Sequence, residues 1–246
     1  PEQLAPGGEL KHTTFSDEEV TNRLFSYGLM MEIDRTMIIN DDMGMLNQIP
    51  TMLGQKMATY EEKFFWKYLL SNPGTMFSAA HGNYATGASS ALGIDSLTNL
   101  RGTFQKQTNS KGDPIAVAPS YLIVPVELEI EARKLLSCDT LIAVGMDNSK
   151  KVIPNQNVCT QFGLTLLTSH YLSNAGIAGN SATGWYLAAA PSDVLSFEML
   201  FLNGKANPTV ERSDVDFNRL GIAYRVYHDF GLKCIDYRGW AFATGA

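Results

Sequence analysis

The C-terminal part of the chain, residues 222–235, alternates without interruption between two sets of side chains. One parity is apolar and consists of Ile222, Tyr224, Val226, Phe230, Leu232 and Cys234. The other parity is mostly polar and includes Arg225, Tyr227, Asp229 and Lys233. A period of two over this length indicates a strand of about 14 residues, roughly 45 Å long at about 3.3 Å per residue. Because ordinary strands have about 5–6 residues, the pattern predicts an elongated protein.

The bulk composition excludes several classes of function. With 246 residues the chain can bury a sizeable core, and its net charge of −6 argues against a general nucleic-acid or anionic-membrane binder, although a local basic patch remains open. Three widely spaced cysteines without a Cys-x-x-Cys motif favour free thiols in a reducing compartment. The longest apolar stretch, residues 121–126, is far shorter than the ~18 residues that span a bilayer, and the N-terminus has no signal-peptide pattern.

A second long alternation occupies residues 27–40, and it predicts another long strand. Residues 10–15 are a shorter candidate partner, because an acidic turn at residues 16–19 separates the two segments. Residues 1–8 contain two prolines and two glycines, which predicts an irregular arm. The N-terminal part is therefore predicted to be an arm followed by a long hairpin.

After residue 40 the period changes to the three-and-four spacing of a helix. The apolar positions continue as far as Leu69, which predicts a helix of about 28 residues and roughly 42 Å. Asp41 or Asp42 is the expected N-cap, and Pro50 predicts a kink or break near Gln48.

The middle of the chain predicts a mixed α/β region. The expected helices cover residues 95–107 and 127–136. The expected strands cover residues 120–124, 163–168, 184–188 and 196–202. The dipeptide Asn203-Gly204 predicts a tight turn, and residues 152–160 are expected to be irregular.

Candidate chemistry is weak throughout. His228 and Asp229 are neighbours on a predicted strand, so they point to opposite faces and cannot act as a dyad. His81 lies in a loop, but no nucleophile elbow accompanies it. Nucleotide-binding glycine motifs are absent, and the carboxylates at 41–42 and at 214 and 216 lack metal-loop spacing. We therefore predict no catalytic, metal-binding or cofactor-binding residues and no cofactor.

Six motifs in order carry a resemblance that spans nearly the whole chain. They are residues 37–42, residues 49–54 with Ile49-Pro50, the tripeptide His81-Gly-Asn83, residues 121–125 leading into the 127–136 helix, residues 185–187, and residues 228–231 with 236–239. In this order the chain resembles the major capsid proteins of tailed phages with the Hong Kong 97 fold. It is most similar to the major head subunit of Mu-like phages.

The resemblance implies an α+β Hong Kong 97-type fold with five segments. Residues 1–8 would be the N-arm, 9–40 the extended E-loop hairpin, 41–111 the peripheral (P) domain with its spine helix, 112–203 the axial (A) domain, and 204–246 the return to the P domain with the long closing strand. The implied function is a structural, non-enzymatic subunit that self-assembles into hexamers and pentamers of an icosahedral shell around double-stranded DNA. Pro1 is expected to follow a maturation cut.

The implied partners are other copies of the chain, a portal protein, a scaffold or maturation protease during assembly, a decoration protein, and packaged double-stranded DNA held without sequence specificity. No membrane partner is expected. The location is the virion capsid, assembled in the cytoplasm of the bacterial host. The expected contacts between subunits involve Met30, Met31, Glu32, Asp34, Arg35, Met37, Arg225, Asp229 and Lys233.

Some shells of this fold carry a lysine–asparagine crosslink; here Lys11 is the only lysine before the spine helix, and no crosslink is expected.

Two other functions remain open at this stage. One is an encapsulin-like protein compartment, which shares the fold and encloses protein cargo in place of DNA. The other is a hydrolase that uses His81 or His228 with a serine or aspartate. The first alternative predicts shells without DNA, and the second predicts a monomer or small oligomer whose activity is lost on His81→Ala.

Overall fold

A computed structural model describes residues 20–40, 44–109, 111–138, 140–144, 152–215 and 219–245. The helices are α1 (Arg35–Ile39), α2 (Ile49–Leu70), α3 (Ile94–Gln105) and α4 (Glu129–Ser137). The strands are β1 (Phe25–Asp34), β2 (Tyr84–Ala85), β3 (Pro119–Pro125), β4 (Thr140–Val144), β5 (Val152–Gln156), β6 (Thr165–Ser169), β7 (Trp185–Ala189), β8 (Phe197–Phe201), β9 (Thr209–Asp214), β10 (Gly221–Cys234) and β11 (Trp240–Ala243). The chain is thus an α+β fold, as the sequence predicts.

The long closing strand is confirmed as β10, which has 14 residues and forms the axis of the first sheet. Strand β1 pairs antiparallel with one edge of β10. Strands β9 and β8 pair one after the other with the opposite edge. The alternation decides which side chains are covered, since Val226 and Phe230 are buried while Arg225 is exposed. We call this four-stranded unit the long sheet.

The second long strand ends earlier than the sequence predicts. Strand β1 stops at Asp34, and the next five residues form α1, so the predicted strand is wrong beyond Asp34. The physical reason is a cap: the Asp34 carboxylate accepts a hydrogen bond from the Arg35 amide at 2.8 Å. The proposed hairpin partner, residues 10–15, lies outside the described residues.

The long helix is shorter than predicted, with 22 residues. It begins at Ile49 after a 3-10 turn over Met45–Gln48, which confirms the expected break near Gln48. Pro50 occupies the first turn, where its missing N–H has no intrahelical acceptor to lose. The residue at the N-cap is Gln48, so the expected capping by Asp41 or Asp42 is wrong for this helix; both aspartates lie outside the described residues.

The second sheet is mixed and has the strand order β2-β11-β7-β3-β6. We call it the central sheet. Every residue of β7 is buried, because helices α3 and α4 cover one face and the C-terminal half of α2 covers the other. Trp185 is fully buried on the first of these faces, and its indole N–H donates to the Ser90 carbonyl at 2.9 Å.

Helix α2 packs on both sheets. Near its start, Leu53 and Met57 are buried together with Val226 of the long sheet. Near its end, Leu69 is buried with Tyr186 of the central sheet. One helix of about 33 Å therefore holds the two sheets in one body.

The mixed middle region is largely as predicted, with one error. Helices α3 and α4 and strands β3, β6, β7 and β8 lie within a few residues of their expected ranges. Asn203 and Gly204 both adopt positive φ, at 53° and 69°, which confirms the turn. Residues 152–156 were expected to be irregular, but they form β5 and pair with β4. Pro154 within that strand is unfavourable for a ladder, which is why the sequence did not indicate it.

Candidate subunit-contact surface

The described residues before α2 carry a concentration of exposed apolar side chains. Met30 is 60% exposed, Met31 44% and Met37 64%. Nine of the ten residues of β1 are not buried, and Ile33 is the exception. The three methionines expected to contact other subunits are therefore accessible in a single subunit, on β1 and on α1.

Met31 and Met37 line a groove between β1, α1 and the start of α2. We call it the β1–α2 groove, and its volume is about 500 Å³. Its lining is mainly apolar and consists of Met31, Ile33, Met37, Leu46, Ile49, Met52 and Leu53, with Glu32, Thr36, Asn40 and Lys56 at its polar positions. Met30 has the opposite parity on β1 and lies on the other face of the long sheet, beside Arg225 and Glu211.

The three charged residues expected at subunit contacts near the end of β1 each make a contact within the chain, through the side chain for Glu32 and Asp34 and through the backbone for Arg35. Glu32 forms an ion pair with Arg219 at 3.2 Å. Asp34 caps α1, and the backbone N–H of Arg35 donates to the Leu220 carbonyl at 3.0 Å. These contacts tie the end of β1 to the start of β10.

Arg225, Asp229 and Lys233 lie on the polar face of β10. The Arg225 guanidinium donates to the Glu211 carboxylate on β9, with an Nε–Oε2 distance of 2.7 Å. Asp229 accepts a hydrogen bond from the Ser26 hydroxyl of β1. Lys233 stands opposite Glu198 of β8 in the ladder. Side chains on the polar face of β10 therefore bond to β9 and to β1, and Lys233 is placed opposite β8.

The Glu211 carboxylate accepts hydrogen bonds from two side chains on the polar face of β10. Hydrogen bonds from Arg225 and from the Tyr227 hydroxyl, the latter at 3.1 Å, hold the pKa of Glu211 below its ordinary value. Because Glu211 and Arg225 are both accessible to water, the pair contributes little to stability by itself. It fixes the directions of two side chains that are both accessible to water.

His228 and Asp229 point to opposite faces, as the alternation predicts. The His228 ring is buried beneath α2, with Nδ1 3.4 Å from the Glu61 carboxylate and Nε2 3.2 Å from the Lys205 carbonyl. Asp229 faces Ser26 on the other side of the sheet. The pair cannot transfer a proton between its members.

His81 lies in the loop after α2 and stacks on Tyr237 with ring centroids 3.8 Å apart. Its Nδ1 is 3.0 Å from the Met76 carbonyl. Within the described part of the chain, neither this ring nor that of His228 bonds a Ser, Thr or Cys side chain. The His81 ring holds its loop against Tyr237, and the His228 ring connects β10 with α2 and with the backbone at Lys205.

Asn83, the last residue of the His81-Gly-Asn83 motif, is a buried structural residue. Its side chain is fully buried, and its amide donates to the carbonyls of Met76 at 2.9 Å and Trp240 at 3.1 Å. Its Oδ1 accepts from the Ser78 amide at 3.2 Å. The His81-Gly-Asn83 motif therefore anchors the loop to β11.

Two glycines in the C-terminal motifs are required by close approach. A Cβ on Gly231 would lie 2.0 Å from the Arg23 carbonyl oxygen, and one on Gly239 would lie 2.2 Å from the Ser196 hydroxyl. Both distances are far below van der Waals contact, so a side chain at either position would displace a neighbouring segment. These close approaches account for the glycine at the end of each of the two C-terminal motifs, residues 228–231 and 236–239.

Among the described residues, no group of three or more His, Cys, Asp or Glu side chains is arranged to hold a metal ion. In the same residues no helix has the length and apolar character needed to cross a membrane.

Comparisons with solved structures define the class of fold. The capsid of cyanophage P-SCSP1u has a TM-score of 0.61 at 11% identity, covering 100% of this chain and 80% of that one. A phage-related protein from Bordetella bronchiseptica RB50 has a TM-score of 0.59 at 14% identity, with coverage of 100% and 81%. The holo-SrpI encapsulin complex from Synechococcus elongatus PCC 7942 has a TM-score of 0.57 at 12% identity, with coverage of 91% and 74%. At these identities the likeness establishes the fold, which is of the Hong Kong 97 type.

The family follows from the sequence itself. The family described as "Phage capsid protein" matches residues 17–242, which is most of the chain. No curated protein matches the sequence significantly. The chain therefore belongs to the phage capsid protein family, and it is a structural capsid protein.

Proposed function

We propose that the chain is the major head subunit of a phage similar to the Mu-like phages, and that it assembles into hexamers and pentamers of an icosahedral shell around double-stranded DNA. The observation that carries the proposal is the long sheet, which has one face packed on α2 and leaves most of β1 exposed. A large exposed apolar surface on a soluble protein marks a contact site. A shell built from one chain supplies that contact through its own copies.

The domain assignment belongs to the same proposal. The N-arm and E-loop would comprise residues 1–8 and 9–40, the P domain 41–111 and 204–246, and the A domain 112–203. Strands β9 and β10 of the long sheet and the first half of α2 support the P-domain assignment, and the core around β3, β6 and β7 supports the A domain. Strand β8 pairs with β10, so residues 197–201 fit better with the P-domain strands. Strand β11, near the end of the chain, joins the central sheet, so residues 240–243 fit better with the A-domain strands.

The proposed subunit has no enzymatic activity. The two histidines considered for hydrolysis are held against backbone carbonyls and, for His228, against Glu61. Proposed partners during assembly in the bacterial cytoplasm are a portal protein and a scaffold or maturation protease. A decoration protein on the outside and DNA on the inside complete the set, with DNA held without sequence specificity.

Electron microscopy of the purified chain tests the proposal. The expected result is closed shells, or hexameric and pentameric rings under conditions that block closure. A dispersed population of 27.0 kDa monomers, without shells or rings, would contradict it. Cleavage assays with ester and peptide substrates should give equal background rates for the native chain and for His81→Ala.

An encapsulin-like compartment is the second candidate, and the observation in its favour is the structural likeness to the encapsulin complex. The two functions differ in what the shell contains. Shells isolated from the native host should contain double-stranded DNA if the chain is a head subunit. Shells that contain one protein species and no nucleic acid would favour the compartment.

A further inference from the structure

Helix α2 carries three lysines on one exposed face. Lys63 and Lys67 follow Lys56 by seven and eleven residues, which is close to two and three full helical turns, so the three side chains leave the helix in nearly the same direction. They span about 16.5 Å along the helix axis at 1.5 Å per residue. All three are exposed, and Tyr60, which is 43% exposed, lies between them on the same face. We call these four residues the lysine face.

The positive charge of the lysine face is not compensated within the described part of the chain. The ion pairs among the described residues use arginine or histidine as the cation, and none uses a lysine. The two carboxylates of α2 lie on other sides of the helix, where Glu61 is 3.4 Å from Nδ1 of His228 and Glu62 is 3.5 Å from the Tyr171 hydroxyl. In a chain with a net charge of −6, this face is the kind of local basic patch that the composition leaves open.

A groove beside the lysine face gives a ligand a place to enter. Lys63 and Lys67 line it together with Tyr60, Tyr68 and residues 178–179, and its volume is about 530 Å³. Lysine ammonium groups and tyrosine hydroxyls are both donors that commonly bind phosphate oxygens. Among the described residues, no aspartate or glutamate lines this groove. The groove therefore offers cations and hydrogen-bond donors to a ligand without an opposing carboxylate.

A phosphate backbone has the matching chemistry. A DNA duplex carries about one negative charge per 1.7 Å of its axis, so about ten phosphates lie along a length equal to that of the lysine face. Lysine is a hydrated point charge on a flexible stem, which suits phosphate contacts that do not depend on the base sequence. We propose that the lysine face of α2 contacts the phosphates of the double-stranded DNA inside the shell, an inference that rests on the proposed function.

The ion pairs of the chain favour nucleic acid over an acidic protein segment as the ligand. Where a described carboxylate of this chain is paired, its partner is a histidine or an arginine, as in the Arg225–Glu211 pair. The planar arginine fork fixes a carboxylate in one geometry. The lysine face contains no arginine, so its charges suit a backbone of mobile phosphates better than a carboxylate held in one position.

Acylation of lysines, followed by mass spectrometry, tests the contact in the assembled particle. A small acylating reagent is applied to heads filled with DNA and to the same heads after the DNA has been released. Lys63 and Lys67 should react several-fold more slowly in the filled heads, because bound phosphates hold the ammonium groups in their protonated, unreactive form.

Equal reactivity before and after release of the DNA would overturn the proposal. If both rates are fast, the lysine face is open to water; if both are slow, a protein segment covers it. Failure of the native chain to form shells, or shells from the native host that contain no DNA, would instead count against the proposed function.

The salt dependence of DNA binding tests the same contact in dissociated subunits. A duplex oligonucleotide is titrated with the native chain and with a double variant, Lys63→Gln with Lys67→Gln; glutamine has a helix propensity close to that of lysine. The double variant should bind several-fold more weakly, and the slope of log K against log salt should become shallower by about 1.8, since each phosphate contact contributes about 0.9.

The matched control is Lys106→Gln, which removes the same charge from an exposed lysine directly after α3. It should leave both the affinity and the salt slope of the native chain unchanged. A double variant with the native slope, a slope that changes equally with Lys106→Gln, or native subunits that bind no duplex at low salt would each contradict the assignment.

Discussion

Strands β7 and β1 are both rich in apolar residues, yet the fold treats them in opposite ways. All five residues of β7 are buried between helices on both faces of the central sheet. Strand β1 has ten residues, and only Ile33 is buried. The central sheet is covered by its own chain, whereas the long sheet leaves most of β1 exposed, and we propose that other copies of the chain cover it. An apolar strand in the sequence is therefore buried within this chain in one sheet and left exposed in the other.

The largest effect is expected in the central sheet. Trp185→Ala removes a fully buried indole and its hydrogen bond to Ser90, and it should lower the free energy of unfolding by about 3–5 kcal/mol. Phe25→Ala, at a residue 59% exposed on β1, is the matched control and should cost less than about 1 kcal/mol in the dissociated subunit. Denaturant titration of unassembled protein measures both. Similar losses at the two sites would remove the contrast between the sheets.

Asn83→Ala tests the link between the loop after α2 and β11. It leaves the carbonyls of Met76 and Trp240 without their buried donor, and the expected loss is about 3 kcal/mol. Asn99→Ala, at an exposed position on α3, should change stability by less than about 0.5 kcal/mol. A loss at Asn83 no larger than that at Asn99 would show that the amide does not anchor β11.

Gly231→Ala tests how the chain enters the long sheet. The added Cβ would meet the Arg23 carbonyl oxygen, so the segment before β1 must move, at an expected cost of about 1–3 kcal/mol. Gly54→Ala is the control on α2, where no atom lies within 4 Å of the new Cβ, and it should be neutral or stabilising by up to about 1 kcal/mol. Thermal unfolding of the two variants measures the difference. A neutral Gly231→Ala would mean that residues 22–23 do not pack against β10.

The smallest effect concerns Glu211 on the uncovered face. Its folded-state pKa is lowered by hydrogen bonds from Arg225 and Tyr227, so the stabilisation is present above the unfolded pKa and is lost as pH falls through the lower folded value. Glu211→Gln should therefore flatten the pH dependence of unfolding on the acid side of pH 4.5, with little change at neutral pH. An unchanged acid limb in the variant would show that the pair is solvent-separated.

The sequence predicted the elements that one local pattern controls. The period of two located β10 within one residue at each end, and it separated His228 from Asp229. The same period failed after Asp34, because a single capping hydrogen bond changed the conformation of the next five residues. It also failed at β5, where Pro154 concealed a strand that long-range pairing with β4 stabilises.

The partners of the polar residues on β10 could not be read from the sequence. Arg225 bonds Glu211, His228 meets Glu61, and Asp229 accepts from Ser26, across separations of 14 to 203 residues. Only the register of the sheet and the position of α2 bring these groups together. The apolar alternation of β1 is the same whether its cover is internal or comes from a neighbour, so the expectation that its methionines are available to other subunits depended on the resemblance to capsid proteins.

Amide hydrogen exchange of β1 before and after assembly tests the central claim most directly. Every second amide of an edge strand points away from its partner, and exclusion of water by a neighbouring subunit slows its exchange. We expect residues 25–34 to exchange at least about tenfold more slowly in shells than in dissociated subunits, while residues 185–189 of β7 remain equally protected in both. Unchanged exchange of β1 in well-formed shells would contradict the account, because the long sheet would then not be completed by other copies of the chain.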